Sequence, residues 1–327
     1  MTQPTETLDQ YDLGTSVRED LSNLISNVDN ADTPFFTGCK KATATNANHE
    51  WLTDSYADAS ASNAAVEGDD LDGDNINGRT RLGNRVQISD KVRVVSELAS
   101  MVNTAGVDRE IAYQIVKAGV ELRRDIEKAC FTPNIKVTGN STTAAEAGSI
   151  GAYVGASNIS KGAGATTPAG DGTDVHTGGT GRSLTEALLE DVVDQMFSNA
   201  GPVGGRKLFA NAKNKRIING FNGVVDSVRH DATAGTIMSA MDIYVSDYGN
   251  IELVPDAFMR TEAADGESEV YVLDMNQWAL AFVGGTNFRT KPLSEGGLYD
   301  KVAVYSYWTL ESRNEKSSGV IASLDDT

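Results

Sequence analysis

The chain has 327 residues, of which 40% are hydrophobic. It contains 28 Lys and Arg and 46 Asp and Glu, which gives a formal net charge of -18. This length and apolar content suffice for one large or two modest folded domains. The acidic balance disfavours direct binding to DNA or to an anionic membrane, because both associations are driven by basic side chains that release counterions.

The cysteines and the N-terminal residues indicate the cellular compartment of the protein. Cys39 and Cys130 lie far apart and belong to no CxxC pair, so we expect both to be buried small hydrophobic residues in a reducing compartment. The opening MTQPTETLDQYD lacks the apolar run of a signal peptide, and no stretch approaches the ~18 apolar residues of a membrane span. The sequence therefore predicts a protein made in a cytoplasm and without a membrane partner.

Residues 1–48 are predicted to form an acidic arm. Apolar residues at helical spacing predict a short helix from about Ser16 to Val28, which needs a partner because a helix of this length is marginal alone in water. The arm ends in TPFFTG, where Phe35 and Phe36 serve either as core plugs or as contacts with another subunit. We place both among the candidate inter-subunit contacts.

Residues 49–97 are predicted to form a long β-hairpin. Its limbs carry opposite charges: every ionisable residue from Glu50 to Gly78 is acidic, whereas basic residues dominate from Arg79 to Arg93. Cross-strand ion pairs within the hairpin would explain this pattern. However, a hairpin with few large apolar residues has no core of its own, so we expect a neighbouring molecule to hold it. The candidate contact residues are Trp51, Glu67, Asp69, Asp70, Arg79, Arg81 and Arg85.

The tip of this hairpin partly matches a calcium loop. Asp70, Asp72 and Asp74 have the alternate spacing with which an EF-hand loop begins. Asn75 stands where that loop needs Gly, and Arg81 stands where it needs a bidentate Glu. We therefore predict a polar tip and no specific metal site.

A long helix, which we call the spine, is predicted over Thr104–Phe131. The segment contains no proline, and its apolar stripe from Ile111 to Ala129 indicates a helix packed on another element. Thr104 or Asp108 is the predicted N-cap, and Pro133 ends the helix. The opposite, charged face contributes candidate inter-subunit contacts at Arg109, Arg123 and Arg124.

After the spine, the chain passes through a segment rich in small residues and then returns to regular elements. Residues 134–182 have the composition of a linker, and we expect His176 there to be solvated. A capping box at Ser183–Glu186 predicts a helix that ends at Gly201. Several strands follow, and the last, across Val302–Leu310, is the longest strand signal; we expect it to pack along the spine. These elements predict an α+β protein.

Catalytic signatures are missing from the sequence. His49, His176 and His230 show no paired spacing, and there is no HExxH or GxSxG. The Gly178-Gly-Thr-Gly181 run precedes a helix but lacks the GK[ST] of a phosphate loop. We predict neither an enzyme nor a bound cofactor.

A set of motifs in a fixed order resembles one family along nearly the whole chain. The motifs are TPFFTG at Thr33, HEW at His49, NAAVEGDD at Asn63, RxxNxxQIxxK from Arg81 to Lys91, ExAYQ and LRRDIEKA in the spine, SNISKGAGATTPAGDGTD at Ser157, LTEALLEDV, and YSYWTLESRNEK near the end. Together they resemble major capsid proteins of tailed bacteriophages with the Hong Kong 97-like fold, specifically the major head protein group of large SU-type podophages and their relatives.

The resemblance implies an architecture and a function. It implies an N-terminal arm (1–48), an extended loop (49–97), a peripheral domain with the spine helix (98–182), an axial domain (183–290) and a strand that returns to the peripheral domain (291–327). It further implies hexamers and pentamers in an icosahedral virion capsid. This capsid would assemble in the host bacterial cytoplasm with scaffold, portal and cement proteins as further partners, and would enclose double-stranded DNA without reading its sequence.

Some relatives with this fold weld their shell through a Lys in the extended loop. Here no Lys occurs between Glu50 and Arg85, and Lys91 lies only at the base of the loop. We therefore expect no covalent crosslinks. The alternative, a secreted surface-layer or adhesin-like structural protein, is favoured by the acidity and by the Gly and Thr content, but not by the missing signal peptide.

Overall fold

A computed structural model describes residues 29–68, 76, 78–102, 106–202, 204–221, 243–260, 268–294 and 296–325. The predicted helix at Ser16–Val28, the acidic tip with Asp69, Asp70, Asp72 and Asp74, the Thr104 cap and the strand expected near residues 223–228 lie outside the described residues. No helix among the described residues combines the length and hydropathy that a membrane span requires.

Helices and strands are mixed along the chain. The helices are α1 (Pro34–Gly38), α2 (Glu97–Met101), α3 (Glu110–Phe131), α4 (Glu186–Ala200) and α5 (Ala212–Ile218). The strands are β1 (Lys40–Ala44), β2 (Asn48–Thr53), β3 (Thr80–Arg85), β4 (Gln87–Ser96), β5 (Ile159–Ser160), β6 (Arg206–Ala210), β7 (Ile243–Ser246), β8 (Gly249–Pro255), β9 (Ser268–Leu273), β10 (Trp278–Val283), β11 (Arg289–Pro292), β12 (Tyr299–Ser312) and β13 (Gly319–Leu324).

The strands form two main sheets and one hairpin. In the five-stranded sheet, β12 is flanked by β4 on one side and by β10 and β11 on the other, and β1 joins β10 in parallel. The six-stranded sheet has the order β5-β13-β9-β6-β8-β7, and β2 pairs with β3 in a separate antiparallel hairpin. Strand β10 thus joins the first sheet and β13 the second, so sheet membership does not follow the expected boundary at residue 290.

The spine helix is α3, and it is shorter than the sequence predicted. It begins at Glu110 after Arg109, which makes no side-chain cap hydrogen bond, and it ends at Phe131 before Thr132 and Pro133. Gly106 has a φ of 80°, a left-handed conformation that a continuous α-helix cannot contain, which accounts for the late start. The predicted C-terminal end is confirmed.

The spine packs on the long strand, as predicted. Ala118 and Leu122 of α3 are fully buried and cluster with Val304 of β12. Ion pairs add to this contact: Lys91 of β4 lies 2.6 Å from Asp125, and Arg93 pairs with Glu121. Helix α3 therefore covers one face of the five-stranded sheet. The upper part of the predicted stripe, with Ile111 and Ile115, is only partly buried.

The segment rich in small residues is folded into the core, contrary to the linker expected from its composition. Ile150 and Tyr153 are fully buried in the main apolar cluster, which also contains Phe131, Tyr271 and Trp308. Gly172 has a φ of 84°, and a Cβ there would meet the Tyr153 hydroxyl at 2.3 Å. Small residues are needed because the backbone passes directly against a buried ring.

Candidate inter-subunit surfaces

The Phe pair that ends the arm belongs to the core of its own chain. Phe35 is 0% exposed and Phe36 is 6% exposed, and Phe35 packs edge-on against Phe131 with ring centroids 5.4 Å apart. The hypothesis that Phe35 and Phe36 contact another subunit is therefore corrected. Helix α1 begins with Pro34 and is too short to be stable alone, so it is held by tertiary contacts.

A buried carboxylate provides the main polar contact of that helix. The Glu127 side chain on α3 is 0% exposed, and its two oxygens accept hydrogen bonds from the backbone N–H groups of Phe35 and Phe36, each at 2.7 Å. These N–H groups have no partner within a helix, because they stand in its first turn. Glu127 thus fastens the end of the arm to the spine, a role that its place among the spine's charged residues did not reveal.

A second buried carboxyl lies beside Glu127. Burial, and then the charge of Asp256, raises the pKa of Glu127 to about 8, and burial also raises the pKa of Asp256, which is 1% exposed. The two backbone donors act in the opposite direction but are outweighed. The balance of these effects favours the protonated form of Glu127, whose two oxygens accept from the backbone of α1.

The base of the hairpin is attached to the body of the same chain. Trp51 on β2 packs on Tyr153 with ring centroids 5.7 Å apart, and His49 Nε2 lies 3.0 Å from Glu311 Oε2. The fully buried Asn84 on β3 donates to the carbonyls of Gly148 and Leu310 at 3.1 and 2.8 Å. Trp51, expected at a subunit contact, is thus largely used within its own subunit.

The basic limb of the hairpin pairs with its acidic limb. Arg79 Nε lies 3.7 Å from Asp54 Oδ2, and Arg81 Nη1 lies 3.7 Å from Glu50 Oε2. Both arginine side chains are about 70% exposed, and Arg85 lines the groove that Glu50 and Arg81 share. Pairs this exposed contribute ~0–1 kcal/mol each, so they favour the register of the hairpin without fixing it. The cross-strand explanation of the charge pattern is confirmed for these two pairs.

Beyond its base the hairpin opens into a loop that touches little of its own chain. Tyr56 is 100% exposed and Val66 is 74% exposed, and Glu67 is exposed beside them. We call residues 54–68 the loop segment. Its apolar side chains are exposed to water, and the segment is long enough to reach another surface. Exposed apolar side chains on such a loop are typical of a protein-binding element.

The charged face of the spine is only partly free. Arg124 Nη1 lies 3.9 Å from Asp29 Oδ2 in the arm, and its guanidinium lies 5.2 Å from the ring of Phe258. Arg124 thus has an acidic partner within its own chain. Arg109 and Arg123 are exposed and remain proposed contact residues.

One apolar surface was not anticipated from the sequence. Paired residues of a sheet share a face, and the register places Ile88 beside Tyr307, Val92 beside Ala303 and Val94 beside Lys301. This side of the five-stranded sheet, opposite α3, we call the outer face. Ile88, Val92 and Val94 are 62%, 40% and 56% exposed. The even spacing of these residues in QISDKVRVVS indicates that they share one face of a strand. The spacing does not show whether the spine covers that face or the opposite one.

The expectation of a solvated His176 is wrong. His176 is 4% exposed, and its Nε2 lies 2.9 Å from Glu269 Oε1. The Tyr271 hydroxyl donates to the other Glu269 oxygen at 2.6 Å, and burial raises the pKa of that phenol well above its usual value. His176, from the segment rich in small residues, thus lies buried against two side chains of β9, Glu269 and Tyr271.

Among the described residues no group of three or more His, Cys, Asp or Glu side chains could hold a metal ion. An open groove of about 390 Å³ is lined by carboxylates of α4 and of the β7–β8 turn, including Glu186, Glu190 and Asp247. The thiols of Cys39 and Cys130 are free and buried, and burial raises the pKa of Cys39 to about 12.

Comparison with known proteins gives a family from the sequence and a shared fold from solved structures. The SU10 major capsid protein family matches residues 3–325. The major capsid protein of Escherichia phage Phieco32 is 35% identical over 107 residues, which span 33% of this chain and 30% of that relative.

Solved capsids share the fold at low sequence identity. The capsid of Cyanophage A-1(L) superimposes with a TM-score of 0.65 and 13% identity over 97% of this chain and 99% of that one. The capsid of a native GTA particle gives 0.63 and 12% over 95% and 97%. The mature capsid of bacteriophage PhiM1 gives 0.61 and 10% over 98% and 96%. The fold is thus Hong Kong 97-like, and, by the match over residues 3–325, the chain belongs to the SU10 major capsid protein family.

Proposed function

We propose that this chain is the major capsid protein of a tailed bacteriophage and that it assembles as hexamers and pentamers into the icosahedral head. The match of the SU10 family to residues 3–325 carries this proposal. The exposed loop segment, with Tyr56 and Val66 unburied, supports it, because apolar groups extended into water are stabilised when a second subunit covers them. A surface-layer or adhesin role has no comparable support.

The parts of the fold take the roles that the family resemblance implies. Residues 1–48 act as the arm and residues 49–97 as the extended loop. The spine with the five-stranded sheet acts as the peripheral domain, and the six-stranded sheet with α4 and α5 acts as the axial domain near the symmetry axes. Scaffold, portal and cement proteins are the expected partners in the virion.

The head encloses double-stranded DNA without reading its sequence. The net charge of -18 supports this part of the proposal, because sequence-independent affinity for DNA rises with the number of cations that reach the phosphates. The protein acts as a structural component and not as an enzyme.

Assembly tests the proposal directly. The purified full chain is imaged by negative-stain electron microscopy and analysed by size-exclusion chromatography, both alone and after co-expression with the neighbouring phage structural genes. Shells or capsomer rings are the expected result. Monomers alone under both conditions, with a folded circular dichroism spectrum, would contradict the proposal.

A further inference from the structure

A groove lined by basic side chains lies where the base of the hairpin meets the segment rich in small residues. It has a volume of about 440 Å³, and its lining includes Arg81, Gly83 and Arg85 of β3 and Lys136 of that segment. This volume falls within the ~300–1,000 Å³ that is typical of small-molecule sites. We call it the basic groove.

The register of the hairpin opens the basic groove. Arg81, Gly83 and Arg85 alternate with two buried residues of β3, so all three share the side of the hairpin that faces away from the body of the chain. Gly83 has no side chain, which leaves the space between the two arginines open, and a Cβ there would lie 2.9 Å from Cγ of Glu50. The two arginines start ~13 Å apart along the strand, at ~3.3 Å per residue.

Lys136 adds a third cation between the arginines. Its ammonium donates to the carbonyl oxygens of Gly83 and Asp171 at 3.1 and 2.7 Å, which uses two of its three donors. The Asp171 carboxylate offsets part of this charge, but it is itself held by the Thr173 hydroxyl, which donates to it at 2.6 Å. Backbone carbonyls therefore fix the ammonium in place and leave one donor for a ligand.

The arginines are only weakly neutralised by their own chain. Arg85 forms no ion pair with any of the described residues, and Arg81 lies 3.7 Å from Glu50 Oε2. The other oxygen of Glu50 accepts from Asn48 Nδ2 at 2.7 Å. Glu50 is the one carboxylate among the described lining residues, against three cations. Such an excess of positive charge is unusual in a chain of net charge -18.

This arrangement fits an anion of the phosphate class. The planar guanidinium of arginine donates two parallel hydrogen bonds to a phosphate group. Because Arg81 and Arg85 approach from opposite ends of the groove, each can hold a different charged group of one ligand, and Lys136 lies between them. The net charge of the chain repels a long polyanion such as DNA more strongly than a small anion.

We propose that the basic groove binds a small phosphate-class anion with two or more charges, such as pyrophosphate, through Arg81, Arg85 and Lys136. Binding ties the base of the hairpin to the segment rich in small residues. This site goes beyond the proposed capsid function and does not rest on it.

Calorimetric titration of the purified full chain with pyrophosphate tests the site, with sodium chloride of equal ionic strength as the reference. We expect saturable binding that is ~10-fold weaker for Arg85→Gln, because charge-assisted hydrogen bonds are lost. Arg123→Gln is the matched control: it removes the same charge from an exposed position on the spine and should bind as the wild type does. Equal weakening in the two variants would overturn the proposal.

A second variant should change the affinity in the opposite direction. Glu50→Gln removes the one carboxylate of the described lining and keeps the oxygen that accepts from Asn48. We expect several-fold tighter binding of pyrophosphate, with a circular dichroism spectrum like that of the wild type. Unchanged or weaker binding by this folded variant would contradict the site, as would a wild-type chain that shows no saturable binding in the millimolar range.

Failure of the anion site can be distinguished from failure of the capsid function. Arg81 and Arg85 are also proposed to meet a neighbouring subunit, so a bound anion would compete with that contact. Particles that assemble normally from a chain without saturable pyrophosphate binding would overturn the anion site alone. A chain that binds pyrophosphate but never assembles would overturn the capsid function alone.

Discussion

Glu127 shows how one buried carboxyl joins distant parts of the chain. It lies on the spine, accepts hydrogen bonds from the backbone of the arm's last helix, and has its pKa raised by burial and by the charge of Asp256 after β8. A buried carboxyl is costly unless it is protonated or hydrogen-bonded; here backbone N–H groups supply the hydrogen bonds, and burial favours the protonated form. The end of the arm is therefore held by a contact whose strength depends on a proton.

Stability should fall with rising pH because of this group. The pKa of Glu127 is raised from 4.5 to about 8, so between these values the folded chain holds the proton more tightly than the unfolded chain does. The free energy of unfolding should therefore decline as pH rises through this interval and level off above it. Thermal melts over this range, compared with Glu127→Gln, measure the effect. Parallel pH profiles for the two proteins would contradict the assignment.

Truncation of the same side chain should be severe. Glu127→Ala leaves the N–H groups of Phe35 and Phe36 buried without an acceptor, which costs ~1–3 kcal/mol for each group. Glu127→Gln keeps one acceptor oxygen and should cost less. Chemical denaturation of both variants gives this order.

At the scale of elements, the segment rich in small residues is the main surprise. Its composition is that of a linker, yet its backbone packs against Tyr153 and is fastened through His176 and Glu269. Small residues permit the close approach, and buried polar side chains hold the segment in place. Low hydrophobicity therefore did not mean low order here.

Two glycines of this segment allow a matched test. Gly172 and Gly164 have nearly equal φ values of 84° and 81°, but a Cβ at Gly172 would meet the Tyr153 ring, whereas nothing lies within 4 Å at Gly164. Alanine at either site has the backbone strain of a left-handed residue, ~1–2 kcal/mol. Gly172→Ala should lose ~1–3 kcal/mol more because of the clash. Equal melting temperatures for the two variants would contradict this packing.

In the whole molecule, charge-reversal variants of the hairpin can distinguish an effect on folding from an effect on assembly. Reversing Arg79, Arg81 and Arg85 to Glu removes the exposed pairs of Arg79 and Arg81, worth ~0–1 kcal/mol each, so the monomer should stay folded. Particle yield should fall strongly, because the reversed limb no longer has the charge that we propose meets a neighbour. Circular dichroism and particle counts measure the two effects, and a normal particle yield would refute the role of the charges.

A charge swap provides the control. Arg79→Glu and Arg81→Glu combined with Asp54→Arg and Glu50→Arg restore the two pairs within the hairpin with their signs exchanged. If assembly then recovers fully, the pairs act only inside one subunit. We expect little recovery, because the neighbour still meets the wrong charge.

The assembled shell should lack covalent crosslinks. Between Glu50 and Arg85 there is no Lys, and the nearest amine at the base of the hairpin, Lys91, lies 2.6 Å from Asp125 on the face covered by α3. Mature particles boiled in detergent should give a single monomer band. A ladder of covalent oligomers would contradict this prediction.

Features that depend on residues close together in the chain were predictable from the amino-acid sequence. Periodicity located the body of the spine, the long strand β12 and the limbs of the hairpin, because the spacing of apolar side chains follows directly from helix and strand geometry, and Pro133 marked the end of the spine. Motif order placed the chain in its family. The net negative charge likewise follows from the amino-acid sequence alone.

Contacts between residues far apart in the chain became known from the folded structure alone. Phe35 lies more than 90 positions from Glu127, and His176 lies about as far from Glu269, so no local pattern could show that they are partners. The same holds for the assignment of β10 and β13 to different sheets and for the side of β4 that the spine leaves open. Local periodicity shows that a strand has two faces, but only packing decides which face is covered.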